Sequence, residues 1–189
     1  MPDGGSRASR PRAGMTDATR PPGVLSSELV RLRPVGVREM AAILRGAPDP
    51  ELPWEEGFPA APLLDFLGKA ASDPGYLGPF YAYLIVRASD GLAVGDAGFH
   101  GPPRPDGELE VGYALVPKAR GAGLATEAVR LLLGWAWRQP EVRRIVARVD
   151  EGNGDSERLL RRLGFKFAGA QNGMRRFALD PRPAMSPSE

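Results

Sequence analysis

The sequence predicts an α+β domain with one central, mainly antiparallel sheet and helices on its faces. Two observations lead there. Hydrophobic period 2 and period 3.6 alternate along the chain in the order strand, two helices, three strands, helix, strand, helix, two strands. The three middle strands are joined by short turn and loop signals, which is the signature of antiparallel neighbours. A length of 189 residues, 42% hydrophobic and 25% charged, suits one globular domain and neither a disordered nor a fibrous chain.

The elements follow in chain order. Leu29, Arg31 and Arg33 alternate with Val30 and Leu32 in a short strand. Val37, Met40, Ala41 and Leu44 have the spacing of an amphipathic helix. Residues 47–60 read as a Pro-rich loop carrying Trp54, and Leu63, Leu64, Phe66, Leu67 and Ala70 make a second helix. Residues 80–87 and 92–100 form a hairpin around the turn signal Ser89-Asp90-Gly91. After a Pro/Gly loop at 101–107 comes a third strand, 108–116, stopped by Pro117. A glycine-bearing loop at 118–123 opens a helix over 124–138, with Leu124, Ala128, Leu131, Leu132 and Trp135 on one face. Residues 143–149 are a β-branched strand. Residues 155–163 are a helix with Asp155 or Ser156 as its cap, Leu159, Leu160 and Leu163 inward and Arg158, Arg161 and Arg162 outward. Residues 165–169 and 175–179 are the last strands, around a Gln-Asn-Gly turn. Residues 1–27 and 180–189 are rich in Pro, Gly, Ser and Arg with little to bury. They are expected to be disordered tails around a domain spanning 28–179.

Composition removes several function classes. There is no cysteine, hence no thiolate nucleophile, disulfide or Cys-ligated metal, and the single histidine, His100, excludes a multi-histidine metal site. No metal is expected. The net charge of +2 belongs to residues 1–27, and the other 162 residues carry 21 basic and 21 acidic side chains. A neutral body argues against a nucleic-acid partner. No apolar run approaches ~18 residues, so no membrane span is expected. A reducing, cytoplasmic compartment is the simplest home.

Residues 108–126 carry the chemistry. A strand enters a loop with two glycines, and the loop opens a long helix. The first N–H groups of a helix lack intrahelical partners, and the helix dipole places partial positive charge there. Gly121 and Gly123 remove the Cβ atoms that would hold an anion away, and Arg120 adds a full charge. The result is a cradle for phosphate or pyrophosphate. It is not a P-loop, since no Lys-Ser or Lys-Thr occurs, and not a dinucleotide fingerprint, since Thr126 stands at the third glycine. Its plainer alternative is a strand–helix connection in which the glycines only make a turn.

Arg120-Gly121-Ala122-Gly123-Leu124-Ala125 resembles the Arg/Gln-x-x-Gly-x-Gly/Ala motif of the GNAT superfamily of N-acetyltransferases. Leu29-Val-Arg-Leu-Arg-Pro, Glu-Val-Gly-Tyr-Ala-Leu ahead of the motif, and residues 153–165 after it are similar to the RimJ/RimL-like branch. The resemblance implies a V-shaped split between the strands at 108–116 and 143–149, with the pantetheine arm of acetyl-CoA in the opening. It implies that backbone groups of Leu115 and Val116 pair with that arm, and that Asn153 bonds it. It also implies that the N–H groups of Gly121, Ala122, Gly123, Leu124, Ala125 and Thr126 hold the pyrophosphate.

The implied reaction is direct acyl transfer to a primary amine, either a protein N-terminus or a small molecule. An amine must be neutral to attack, so a base accepts its proton. Glu110 is the candidate base, although Glu108, Glu110 and Gly112 share a strand face that is also suited to solvation. Ser156 is expected near the CoA sulfur, where it stabilises the departing thiolate or merely caps the helix. Trp54 and His100 are candidate acceptor contacts; each also reads as an ordinary packing or strand-end residue. A homodimer is compatible with this reading. The competing classes are a catalytically silent acyl-CoA-binding sensor or interaction module and a nucleic-acid-associated factor.

Overall fold

The computed structural model describes residues 23–72 and 78–181. Eight strands form one sheet in the order β1-β2-β3-β4-β5-β6-β8-β7. They are β1 (Leu25–Ser26), β2 (Val30–Pro34), β3 (Ala82–Arg87), β4 (Ala93–Phe99), β5 (Glu108–Leu115), β6 (Arg144–Asp150), β7 (Lys166–Gln171) and β8 (Met174–Leu179). The helices are α1 (Val37–Leu44), α2 (Ala61–Ala70), α3 (Leu124–Ala136) and α4 (Gly154–Arg162). Every neighbouring pair is antiparallel except β5 and β6, which are parallel. No helix among the described residues is long and apolar enough to cross a membrane.

The expected element order stands, with boundaries shifted by one to three residues. One element lies outside the expected domain. β1 pairs Leu25 with Leu32 and Ser26 with Arg31, so ordered structure begins inside the segment assigned to the first tail. Asp180, assigned to the second tail, bonds Arg144 at 2.7 Å. Residues 1–22 and 182–189 of those tails lie outside the described residues.

Helices cover both faces of the sheet. Cross-strand partners share a face, so Phe99 lies with Val111, and the Trp135 ring of α3 packs 5.8 Å from Phe99. Leu109, Ile145, Ala147 and Phe177 continue this core toward β8, under Leu159 and Leu160 of α4. On the opposite face Leu84 lines a small hollow with Ala42 and Ile43 of α1 and with Trp54. The sheet therefore separates a face covered by α3 and α4 from a face covered by α1 and the 47–60 loop.

The feature that positions the site is a break in the ladder. β5 and β6 are paired only at Glu108↔Arg144, Leu109↔Ile145 and Glu110↔Val146. Beyond Glu110, β5 stays with β4 while β6 stays with β8, and the two strands part.

Candidate active site at the parting of two strands

Past Glu110, β5 presents an unpaired edge. The even residues bond to β4: Glu110 accepts from His100 N–H at 2.9 Å, and Val116 N–H donates to Val94 at 3.0 Å. By alternation, the N–H and C=O groups of Val111, Tyr113 and Leu115 face the opening. This corrects the expectation for Val116, whose N–H is committed to the sheet. Leu115 keeps its cleft-facing position, though its carbonyl accepts from Arg120 Nε at 3.2 Å. Tyr113 lines the cleft beside it.

The glycine loop sits at the mouth of this opening. After Leu115 a single 3₁₀ turn, Pro117–Ala119, leads into it. Gly121 and Gly123 have φ of 82° and 79°, the left-handed region that favours glycine, and a Cβ at either would point into open space. The first helical bond of α3 runs from Glu127 N–H to Gly123 C=O, which leaves the N–H groups of residues 124–126 without an intrahelical partner, and among the described residues none of the N–H groups of 121–126 makes a hydrogen bond. These unpaired donors, at the positive end of a 13-residue helix, fit a pyrophosphate.

The opposing wall is the first turn of α4. Its N-cap is Asn153, whose side chain accepts from Ser156 N–H at 3.1 Å. The cap is therefore neither Asp155 nor Ser156. Ser156 faces the cleft, and its carbonyl accepts from the Tyr113 hydroxyl at 3.4 Å. Burial pushes the Tyr113 phenol above its ordinary range. Together these elements line a cleft of about 520 Å³ that includes Arg120, Gly121, Gly123, Leu124, Ala125, Thr126, Asn153 and Ser156.

Two arginines that the sequence placed outward also reach it. Arg158 and Arg162, one helical turn apart, line the cleft. Arg161 does not; its guanidinium stacks 5.4 Å above the Phe177 ring. The cleft thus holds three cations, Arg120, Arg158 and Arg162, suited to a ligand with several phosphates. Arg158 is also paired with Asp155.

On the other face of the sheet lies Glu110, at the vertex where the strands part. Its side chain is 12% exposed. One carboxylate oxygen accepts from Arg148 at 2.8 Å, and the other is 3.7 Å from His100 Nδ1. The His100 ring lies across Gly112, where a Cβ would come within 2.7 Å of Nε2. Glycine at 112 is what seats the imidazole. Trp54 lies on this same face of the sheet, in the hollow with Leu84: it meets Phe58 edge-on at 5.5 Å and pairs its backbone with Ala93, which anchors the 47–60 loop.

Sequence reasoning missed a second carboxyl on the Glu110 face. Asp96 of β4 shares a rung with Leu84 of β3 and Ala114 of β5. Burial among them pushes its pKa up to about 7. The sign of the linkage follows. Between the ordinary carboxylate range and pH 7, the folded chain keeps a proton that the unfolded chain has released. Asp96 therefore costs stability progressively as pH rises through that window, and in full above it.

The family model for the acetyltransferase (GNAT) domain matches residues 30–166. The chain is 36% identical over 86 residues to N-acetyltransferase YjdG of Bacillus subtilis (strain 168), covering 46% of this chain and 51% of that protein. It is 34% identical over 86 residues to N-acetyltransferase p20 of Bacillus licheniformis, covering 46% and 48%. It thus spans about half the length of the curated relatives it matches. Among solved structures, an acetyltransferase from Agrobacterium tumefaciens str. C58 superposes with TM-score 0.61 at 21% identity, over 92% of this chain and 100% of that one. A RimL ribosomal L7/L12 alpha-N-protein acetyltransferase in complex with coenzyme A superposes with TM-score 0.61 at 17% identity, over 84% and 98%. At these identities the superpositions speak for the fold, and the family model for membership: the chain belongs to the GNAT acetyltransferase family.

Proposed function

We propose that this chain transfers an acetyl group from acetyl-CoA directly to a primary amine, in a ternary complex, as enzymes of the RimJ/RimL-like branch do. The observation that carries the reading is the cleft where β5 and β6 part. The cleft offers the N–H groups of residues 121–126 with Arg120, Arg158 and Arg162, and Glu110 with His100 stands on the opposite face of the sheet where the strands part. Donor and acceptor can therefore enter from opposite faces of the sheet.

When bound, acetyl-CoA supplies an activated acyl carbon. The chain's own residues bind, orient and move protons. Residues 121–126 hold the pyrophosphate. The outward N–H and C=O groups of Tyr113 and Leu115 pair with the pantetheine amides as an added strand would. Asn153 fixes the first turn of α4, which keeps Ser156 beside the thiol end, within reach of the Tyr113 hydroxyl. Glu110 accepts a proton from the acceptor nitrogen, and His100 borders the acceptor. No acyl-enzyme forms: the chain has no cysteine, and Ser156 lines the cleft while the only histidine stands with Glu110 on the opposite face of the sheet. The acceptor is a protein N-terminus or a small-molecule amine.

The test is a panel of free-N-terminal peptides and small primary amines incubated with acetyl-CoA. Free thiol should appear together with a product heavier by one acetyl group. Binding of acetyl-CoA with no transfer to any amine would favour a silent sensor instead.

A further inference from the structure

We propose that Asp96 is a second catalytic carboxylate on the acceptor side: it receives the incoming ammonium and takes the proton that the amine must lose before it attacks. This rests on the acyl-transfer reading above.

The register puts Asp96 on the same sheet face as His100 and Glu110, four residue pairs from Glu110 along β4 and β5, with Gly98 and Gly112 the pair between them on that face. Its rung partner toward the opening is Ala114, which itself lines the cleft. Its other rung neighbour is Leu84, which is apolar and buried.

Among the described residues nothing serves this carboxyl. Arg33, the next residue on the rung, bonds Glu39 of α1 at 2.9 Å. Arg38 of α1 is held by Asp49, and Arg87 by Glu55 and Asp90. Lys118 is paired with Glu56, and Asp65 and Lys69 of α2 lie exposed. Glu110, in contrast, already has Arg148 and His100. A carboxyl enclosed without a cation is poised near neutrality, and a titration point near 7 suits a base working at neutral pH.

An ammonium loses two protons on becoming an amide, one before attack and one after the new bond has formed. Asp96 takes the first. An N–H bond of the ammonium breaks, an O–H bond forms on Asp96, and the electron pair left on nitrogen is the one that attacks. The C–N bond forms at the thioester carbon, the C–S bond breaks, and CoA leaves as the thiolate; Glu110 takes the second proton from nitrogen. The carboxyls give up their protons through solvent, one reaching the thiolate to make the free thiol and one released.

The experiment uses the full chain with acetyl-CoA and, as acceptor probes, an alanine-terminated decapeptide and benzylamine. Wild-type kcat/KM should rise with pH through a limb near 7. Asp96→Asn should lose that limb and fall on the order of 10²–10⁴-fold at pH 7, recovering at high pH where the amine is already free. Its acetyl-CoA-induced rise in Tm should stay at the wild-type size. An Asp96→Asn enzyme with wild-type rate and limb overturns the proposal while leaving the acyl-transfer reading intact. A wild-type chain that shows no acetyl-CoA shift overturns that reading instead. If neither probe turns over, carbon-13 titration of the CoA-bound chain decides. Added benzylammonium should move the Asp96 carboxyl titration to lower pH, and an unmoved titration overturns the proposal.

Discussion

Gly123→Glu abolishes CoA binding and leaves the fold in place. The residue has φ of 79°, so any side chain there costs about 1 kcal/mol or more of backbone strain. A Cβ would meet nothing within 4 Å, so the fold has room for it. The carboxylate then occupies the space before the free N–H groups of residues 121–126 and satisfies them as a bound phosphate would. For the wild type, acetyl-CoA at ~100 times its Kd contributes about 2.7 kcal/mol, or roughly 5–10 °C in Tm for a domain of this size. The variant should show a cooperative transition and no shift. Gly123→Ala, with the strain but not the charge, should retain most of it. A wild-type shift in Gly123→Glu would reduce the loop to a simple turn.

Glu110→Gln lowers turnover on the order of 10²–10⁴-fold with little change in acetyl-CoA affinity. The glutamine carbonyl still accepts from Arg148, so the vertex of the split keeps its geometry. What is lost is a group that can take a proton. Because that proton leaves after the nitrogen has bonded, raising the pH should rescue Glu110→Gln less than it rescues Asp96→Asn. Ser156→Ala should slow turnover with a similarly flat response, since it acts at the departing sulfur. A Glu110→Gln enzyme of wild-type rate would remove this carboxylate from catalysis and leave His100 as the group to replace next.

The glycine loop was legible because its requirements are local. Two glycines at a strand-to-helix junction need only backbone conformation and a helix dipole, and both lie within ten residues of sequence. The strands and helices were legible for the same reason. What the sequence concealed depends on neighbours far along the chain. Asp96 sits in Ala93-Val-Gly-Asp-Ala-Gly-Phe99, where one aspartate reads as the solvated side of a strand. Its carboxyl is desolvated only because Leu84 and Ala114 flank it on the neighbouring strands, far along the chain. The identity of the free β5 edge depends on which strand takes which set of backbone groups, and that took Val116 out of the opening. β1 is two residues long and carries too little pattern to be seen. Arg158 and Arg162 did carry a signal, their i, i+4 spacing, but it says only that they share a face and not that the face is the cleft.

The central claim is that the opening between β5 and β6 receives CoA. Backbone amide chemical shifts of the full chain, recorded during titration with CoA, test it most directly. The account predicts saturable changes concentrated at residues 121–126, at Tyr113 and Leu115, and at Ser156, with the α1 hollow beside Trp54 unmoved. Saturable changes centred elsewhere, or none at millimolar CoA, would contradict it.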